Sequence, residues 1–235
     1  MDIIEELGHL TKLRVLELDI RFSADWNKLV GCLHKLQNIQ LSIHSQGERN
    51  MGGLDDWVGP RHLRILDTMY GCWFSTLPAW INPSHLLDLS VLHIAVRELR
   101  QGDLETLGRL PALRGLGLMV GHEDHGIHGR FIVGAGLFPC LVRFWLSGFL
   151  GPVVFQQGAM PRLTILHFPF HVWETREIAG IDGAFDLGLG NLASLQHVYI
   201  HFQSGGASKE VEEAKAALSH AAEIHPNHPT LQIYE

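Results

Sequence analysis

One phrase, L-x-x-L-x-x-L-x-L, returns along the whole chain, and it limits the folds open to it more than any other feature. Leu10, Leu13, Leu16 and Leu18 state it first, and Leu110, Leu113, Leu116 and Leu118 restate it. Eight copies begin at Leu10, Leu33, Pro60, Leu86, Leu110, Phe138, Met160 and Leu192, at intervals of 23, 27, 26, 24, 28, 22 and 32 residues. The third is eroded: it keeps Leu63 and Leu66 but carries Thr68 where the next apolar residue belongs. A half-copy, Thr230-Leu231-Gln232-Ile233, comes last.

Each copy ends in a period-2 stretch such as Leu16-Glu17-Leu18-Asp19-Ile20, the pattern of a strand with one buried face. One short strand cannot bury that face alone, whereas parallel stacking of copies builds a continuous leucine core. Self-similarity at about 20–29 residues is the signature of a leucine-rich repeat solenoid. The expected fold is therefore α/β: a horseshoe with a parallel sheet on the concave face and irregular convex loops with short helices. Leu77-Pro78-Ala79-Trp80-Ile81 is one return, in which Pro fixes a turn and Trp and Ile refill the core.

The expected organisation is one domain, with about eight repeats over 1–207 and a capping helix and final edge strand over 208–235. Ser208 suits a helix N-cap, and Glu210, Glu212 and Glu213 suit its positive end. Val211, Ala214, Leu218 and Ala221 make an apolar stripe, and Pro226 stops the helix. At the other end, Ile3, Ile4, Leu7 and Leu10 read as the tail of an earlier return with no polar cap. The folded unit is expected to start before residue 1, because solenoid ends need capping.

Composition narrows the function. A net charge of −7 without any local run of Lys and Arg disfavours nucleic acid. No stretch approaches 18 uninterrupted apolar residues, so no membrane span is expected. The acidic start does not read as a signal peptide. Cys32, Cys72 and Cys140 form an odd, scattered set with no disulfide-cap pattern, and no Asn heads a glycosylation triplet. Together these favour a cytoplasmic protein.

Catalytic and metal readings find little. No G-x-S-x-G elbow is present. Cys32 near His34 fits a core position before Leu33 better than a nucleophile. His122, Glu123, Asp124, His125 and His128 bring metal-ligand types into one segment, but Gly121, Gly126 and Gly129 make it a poor preorganised site. His225-Pro-Asn-His228 is a turn after the helix. No cofactor, no metal and no enzymatic activity are expected.

Three phrases carry a resemblance: Ile4-Glu-Glu-Leu-Gly-His-Leu-Thr-Lys-Leu-Arg-Val-Leu16, Leu77-Pro-Ala-Trp-Ile81 and Ala221-Ala-Glu-Ile-His-Pro-Asn-His-Pro-Thr-Leu231. With the irregular spacing, they make the chain similar to the C-terminal repeat region of plant intracellular nucleotide-binding, leucine-rich-repeat disease-resistance proteins. The resemblance implies that the repeats sense a pathogen effector or a guarded host protein and restrain a nucleotide-binding switch. This chain has no G-x-x-x-x-G-K-[ST] loop and so does not contain that switch. The alternative is a scaffold or a substrate-recruiting subunit such as a ubiquitin ligase adaptor.

Strand geometry places the expected protein-binding surface. The residue between the last two leucines of each copy points out of the core. That column reads Glu17, Gln40, Asp67, His93, Gly117, Trp145, His167, Tyr199 and Gln232, flanked by Asp19, Ser42, Met69, Met119, Ser147, His197 and His201. The expected partner-binding residues are Glu17, Gln40, Asp67, His93, Trp145, His167, His197, Tyr199 and His201. The column turns from acidic to aromatic, and grouped exposed aromatics are what an interface uses. Packing of Trp145 against a neighbouring loop is the plainer alternative.

Overall fold

The computed structural model describes residues 15–20, 40–45, 49–50, 60–69, 71–121, 130–148, 151–172, 175, 187–203 and 208–234. The chain divides into two compact units, 1–121 and 122–235.

In the first unit the strands are β1 (Val15–Ile20), β2 (Gln40–Ser45), β3 (Arg49–Asn50), β4 (Ile65–Asp67), β5 (Cys72–Phe74), β6 (Val91–Val96) and β7 (Gly115–Val120). Five of them lie side by side in the order β1-β2-β4-β6-β7, every pair parallel. Strand β3 pairs with β5, which also pairs with β6. The register lines up Leu16, Leu41, Leu66, Leu92 and Leu116 in one row. The last three are buried. The parallel sheet and the leucine row are those the repeat implied.

Two details depart from the expected alignment. In the second copy, Leu41 stands opposite Leu16, not opposite Leu18. The first three strands are therefore spaced evenly, with Leu16, Leu41 and Leu66 at 25-residue steps. Gln40 lies beside Val15 and Ile65, and Ser42 takes the place between Glu17 and Asp67. A strand repeats every two residues, so a two-residue slip leaves the same side chains on the same face. Alternation alone could not separate the two alignments.

The second departure is the eroded third copy. Asp67 pairs with His93 and Trp73 pairs with Ala95, so six steps on one chain match two on the other. Four extra residues loop out, turning through Gly71 at φ 77°. The Thr68 amide still donates to the His93 carbonyl at 2.8 Å before the chain leaves the sheet. Cys72 and Phe74 then return to the core, both fully buried. The missing apolar residue is supplied after the loop rather than lost.

The returns behave as punctuation implied. The Ile81 amide bonds the Pro78 carbonyl at 3.0 Å, and Trp80 and Ile81 are buried. Helix α1 (Gln101–Gly108) begins where the Arg100 amide donates to the Asp103 carboxylate at 2.8 Å, and it buries Leu104 and Leu107.

In the second unit the strands are β8 (Phe131–Val133), β9 (Arg143–Ser147), β10 (Val153–Phe155), β11 (Ile165–His171), β12 (His197–Gln203) and β13 (Thr230–Tyr234). The main sheet runs β9-β11-β12-β13, all parallel. A smaller parallel pair, β10-β8, lies in the returns. Leu146, Phe168 and Phe170 from the main sheet and Val153 and Leu187 from the returns line one small interior gap. The core therefore sits between the two layers.

The second layer has its own sequence signal, which the leucine phrase overshadows. Phe131-x-Val133-x-x-Gly136-x-Phe138 and Val153-x-Phe155-x-x-Gly158-x-Met160 share every offset. Gly136 and Gly158 have φ of 75° and 82°, and the Gly136 amide bonds the Gly158 carbonyl at 3.0 Å. Glycine adopts that left-handed turn without steric cost.

Helix α2 (Ser208–Glu223) forms over the segment where the sequence pattern implies a helix. Its buried stripe is Ala214, Leu218 and Ala222, one residue beyond the expected Ala221, because positions four apart stack on one face. The segment after it is pinned to the last repeat. The buried His225 ring accepts from the Asn227 amide at 3.0 Å on Nδ1 and lies 3.2 Å from the Leu192 carbonyl on Nε2, so Nε2 carries the donated proton. Asn227 Nδ2 donates to the Ala193 carbonyl at 2.6 Å.

Candidate binding face

Residues alternate along each strand of the main sheets, so one side of each sheet is core and the other is open. In the first unit the register aligns Glu17, Ser42, Asp67, His93 and Gly117 in one column beside the leucine row; of these Asp67 and His93 are half-buried and Gly117 is buried. Asp67 and His93 meet across β4 and β6, with Oδ2 and Nδ1 2.9 Å apart. The carboxylate fixes the ring's orientation and leaves its Nε2 edge for other contacts.

Gly117 explains why two of these side chains sit as they do. A Cβ there would lie 2.6 Å from Met69 Cε and 2.8 Å from His93 Cδ2. The bare strand thus makes room for both. Met69, expected to stand open, is buried. Beside this cluster Arg97 lies 4.6 Å from the centre of the Trp73 ring, a cation–π contact. Of Glu17 and Gln40 the strand positions are described: Glu17 is in the column and Gln40 stands two residues before it, on the same face.

In the second unit the central open column is Trp145, His167, Tyr199 and Gln232. His197 and His201 flank Tyr199 on β12, and Tyr234 lies opposite His201 on β13. The structure gathers these rings into a ladder. His167 stacks on Tyr199 with centroids 4.1 Å apart and planes at 14°. Tyr199 is near-parallel to His197 at 6.4 Å and to Tyr234 at 6.5 Å. His201 stacks on Tyr234 at 5.1 Å. The Tyr234 hydroxyl donates to Gln232 Oε1 at 2.7 Å. Trp145 and His167 are half-buried neighbours in the column.

Burial holds the His167 pKa below the ordinary histidine value, and the nearby His201 adds to that by charge repulsion. Sequence reasoning found four members of the ladder and missed Tyr234, which lies in the closing half-copy. Its signal was available: it sits two residues after Gln232, on the same face.

Elsewhere, a groove of about 540 Å³ runs between α2 and β13, lined by Ser219, Ala222, Glu223, His228, Pro229, Leu231 and Ile233. Leu231 and Ile233 are only half-buried, where Val198 and Ile200 at the same register on β12 are buried. Cys72 is buried and Cys140 half-buried. The histidine segment at 122–129 and Cys32 lie outside the described residues. Among the described residues no helix is long and apolar enough to cross a membrane.

Two comparisons with known proteins agree with this architecture. The family model described as a leucine-rich repeat region matches residues 1–231. The chain is 28% identical over 243 residues to the Disease resistance protein RGA5 of Oryza sativa subsp. japonica, an alignment covering 96% of this chain and 21% of that relative. The chain thus spans about a fifth of the length of the curated relative it matches. Stacked parallel strands, a leucine row in register and a family match over nearly the whole length lead to one assignment: the chain belongs to the leucine-rich repeat region family, with a relative among plant disease-resistance proteins.

Proposed function

We propose that this chain is the protein-recognition module of a plant disease-resistance receptor of the nucleotide-binding type. It binds a pathogen effector or a guarded host protein on the open face of its sheets, and it restrains a nucleotide-binding switch that this sequence does not contain. The module is non-enzymatic and acts in the cytoplasm. Its contact residues are Trp145, His167, His197, Tyr199 and His201 in the second unit, with Glu17, Gln40, Asp67 and His93 in the first.

The observation that carries this reading is the ring ladder. Stacked rings hold one another in place, so little side-chain entropy is lost when a partner covers them. Large rigid side chains of this kind dominate interface energies. Fold alone would not license the reading, because one fold hosts many functions.

Affinity capture from infected leaf tissue tests it. The intact chain is expected to retain an effector or host protein, and the double variant Trp145→Ala with Tyr199→Ala is expected to lose it while keeping the same unfolding temperature. Retention of the same protein by the variant would sink the reading.

A further inference from the structure

The ring ladder also indicates what chemistry its partner brings. None of the strands β9, β11, β12 and β13 contains an aspartate or glutamate, although the chain as a whole carries a net charge of −7. The one fixed charge on their open side is Arg143, which is exposed. By contrast, the strands of the first unit carry Glu17, Asp19 and Asp67.

Ring geometry sharpens the point. Centroids 4.1 Å apart at 14° place the His167 and Tyr199 rings face to face, since coplanar rings cannot approach so closely. The two residues sit on neighbouring strands, which are about 4.8 Å apart. The ring normals therefore run from strand to strand, and the rings stand upright on the sheet. What they present outward is edges. Aromatic edges carry the positive side of the ring quadrupole, and imidazole edges carry N–H donors.

The groups facing these histidines can be named. Toward His167, β9 brings Trp145 and Arg143, and β12 brings Tyr199, His197 and His201. His171 is on the same strand and buried. Toward His201, β11 brings Pro169 and β13 brings Tyr234. None of these groups is a carboxylate, so a proton gained on His167 or His201 has no anion in these strands to meet it.

We propose that the ladder docks an acidic segment of a protein partner, whose carboxylates seat on the imidazole edges of His167 and His201, so that binding takes up a proton and tightens as pH falls. The inference rests on the open face of the second unit being the recognition surface. A carboxylate seated there supplies the missing counter-charge and favours the protonated ring. One imidazole shifted by about one pKa unit makes affinity change about tenfold across its titration.

The probe is a blocked hexaglutamate peptide, with blocked hexaserine and hexalysine peptides and inorganic phosphate as comparisons. The full chain is expected to bind hexaglutamate about tenfold more tightly at pH 5.5 than at pH 7.5, with the ring signals of His167 and His201 moving in NMR spectra. Hexaserine and hexalysine should leave those signals in place. His167→Gln with His201→Gln should remove both the affinity and its pH dependence. Gln232→Glu, at an exposed position beside Tyr199, is a gentler second variant and should block the peptide by putting a carboxylate into the ladder.

Equal affinity at the two pH values, or equal response to hexalysine, would overturn the inference. So would inorganic phosphate moving the same signals as strongly as the peptide, which would mean a general anion effect. If hexaglutamate does not bind but the Trp145 and Tyr199 variant still loses its captured partner, the acidic-segment inference falls and the recognition face stands. If neither experiment shows an effect, both fall.

Discussion

Thr68 and His167 show how single side chains record the constraints of a repeat. Thr68 is fully buried, and among the described residues its hydroxyl has no hydrogen-bond partner. Burying an unpaired hydroxyl costs about 1–3 kcal/mol, so Thr68→Val, which keeps the shape, should stabilise the first unit by about 1 kcal/mol. A lowered unfolding temperature would contradict this. At His167 the sign runs the other way from a salt-bridged histidine. Its folded pKa lies below the ordinary 6.5, so the unfolded chain takes up a proton first as pH falls. The contribution of this group is complete above that ordinary value and is lost as pH drops from about 6.5 through the lowered folded value. Urea unfolding should show lower stability at pH 5.5 than at 7.5, and His167→Gln should flatten part of that slope. A slope that is unchanged in the variant would rule this out.

At the scale of elements, the closing segment is a lock rather than a tail. Asn227 bonds the Ala193 carbonyl, and His225 adds a second contact to the Leu192 carbonyl, which also accepts from the Leu195 amide at the start of the last full repeat. Asn227→Ala should cost about 1 kcal/mol by removing one side-chain hydrogen bond, read as a loss of amide protection in α2 and β13. Leu218→Ala, which empties a buried position under the same helix, should cost about 2–5 kcal/mol. If the two variants were equally harmful, the helix would owe its place to the bonds and not to its apolar stripe. Gly188 is a second such point. Its φ is 70°, and a Cβ there would run into the Phe155 carbonyl, the oxygen that also accepts from Asn191 Nδ2 at 2.8 Å. No other residue joins that return to β10 without strain.

At the scale of the whole molecule, a repeat protein spreads its stability over neighbour contacts. Leu92 is fully buried and stands in the leucine row between Leu66 and Leu116. Leu92→Ala should cost about 2–5 kcal/mol. Hydrogen exchange should then quicken in β4, β6 and β7 and stay near its original rate in β12 and β13. A uniform rise across both units would mean that the chain unfolds as one cooperative body. Open-face substitutions such as Trp145→Ala with Tyr199→Ala leave the leucine row intact, which is why they can separate binding from folding.

The repeat phrase by itself determined the repeat fold, with its parallel strands, leucine row and core between strands and returns, while the apolar stripe after Ser208 and the stop at Pro226 marked the terminal helix. Its apolar spacing leaves no other way to bury those side chains. It also located the face on which Asp67, His93, Trp145, His167 and Tyr199 stand, because strand alternation is local. Three matters needed tertiary structure. The register of β2 was one, since a two-residue slip preserves the face. The excursion after Asp67 was another, since the strand position after Asp67 is refilled by Cys72, four residues on from Thr68, once the loop has closed. The third was the ring ladder, in which Tyr234 joins His201 and Tyr199 only because β13 lies against β12. Periodicity is written along the chain. Which rings touch depends on the register between chains of residues far apart in sequence, and that is fixed only when the strands pair.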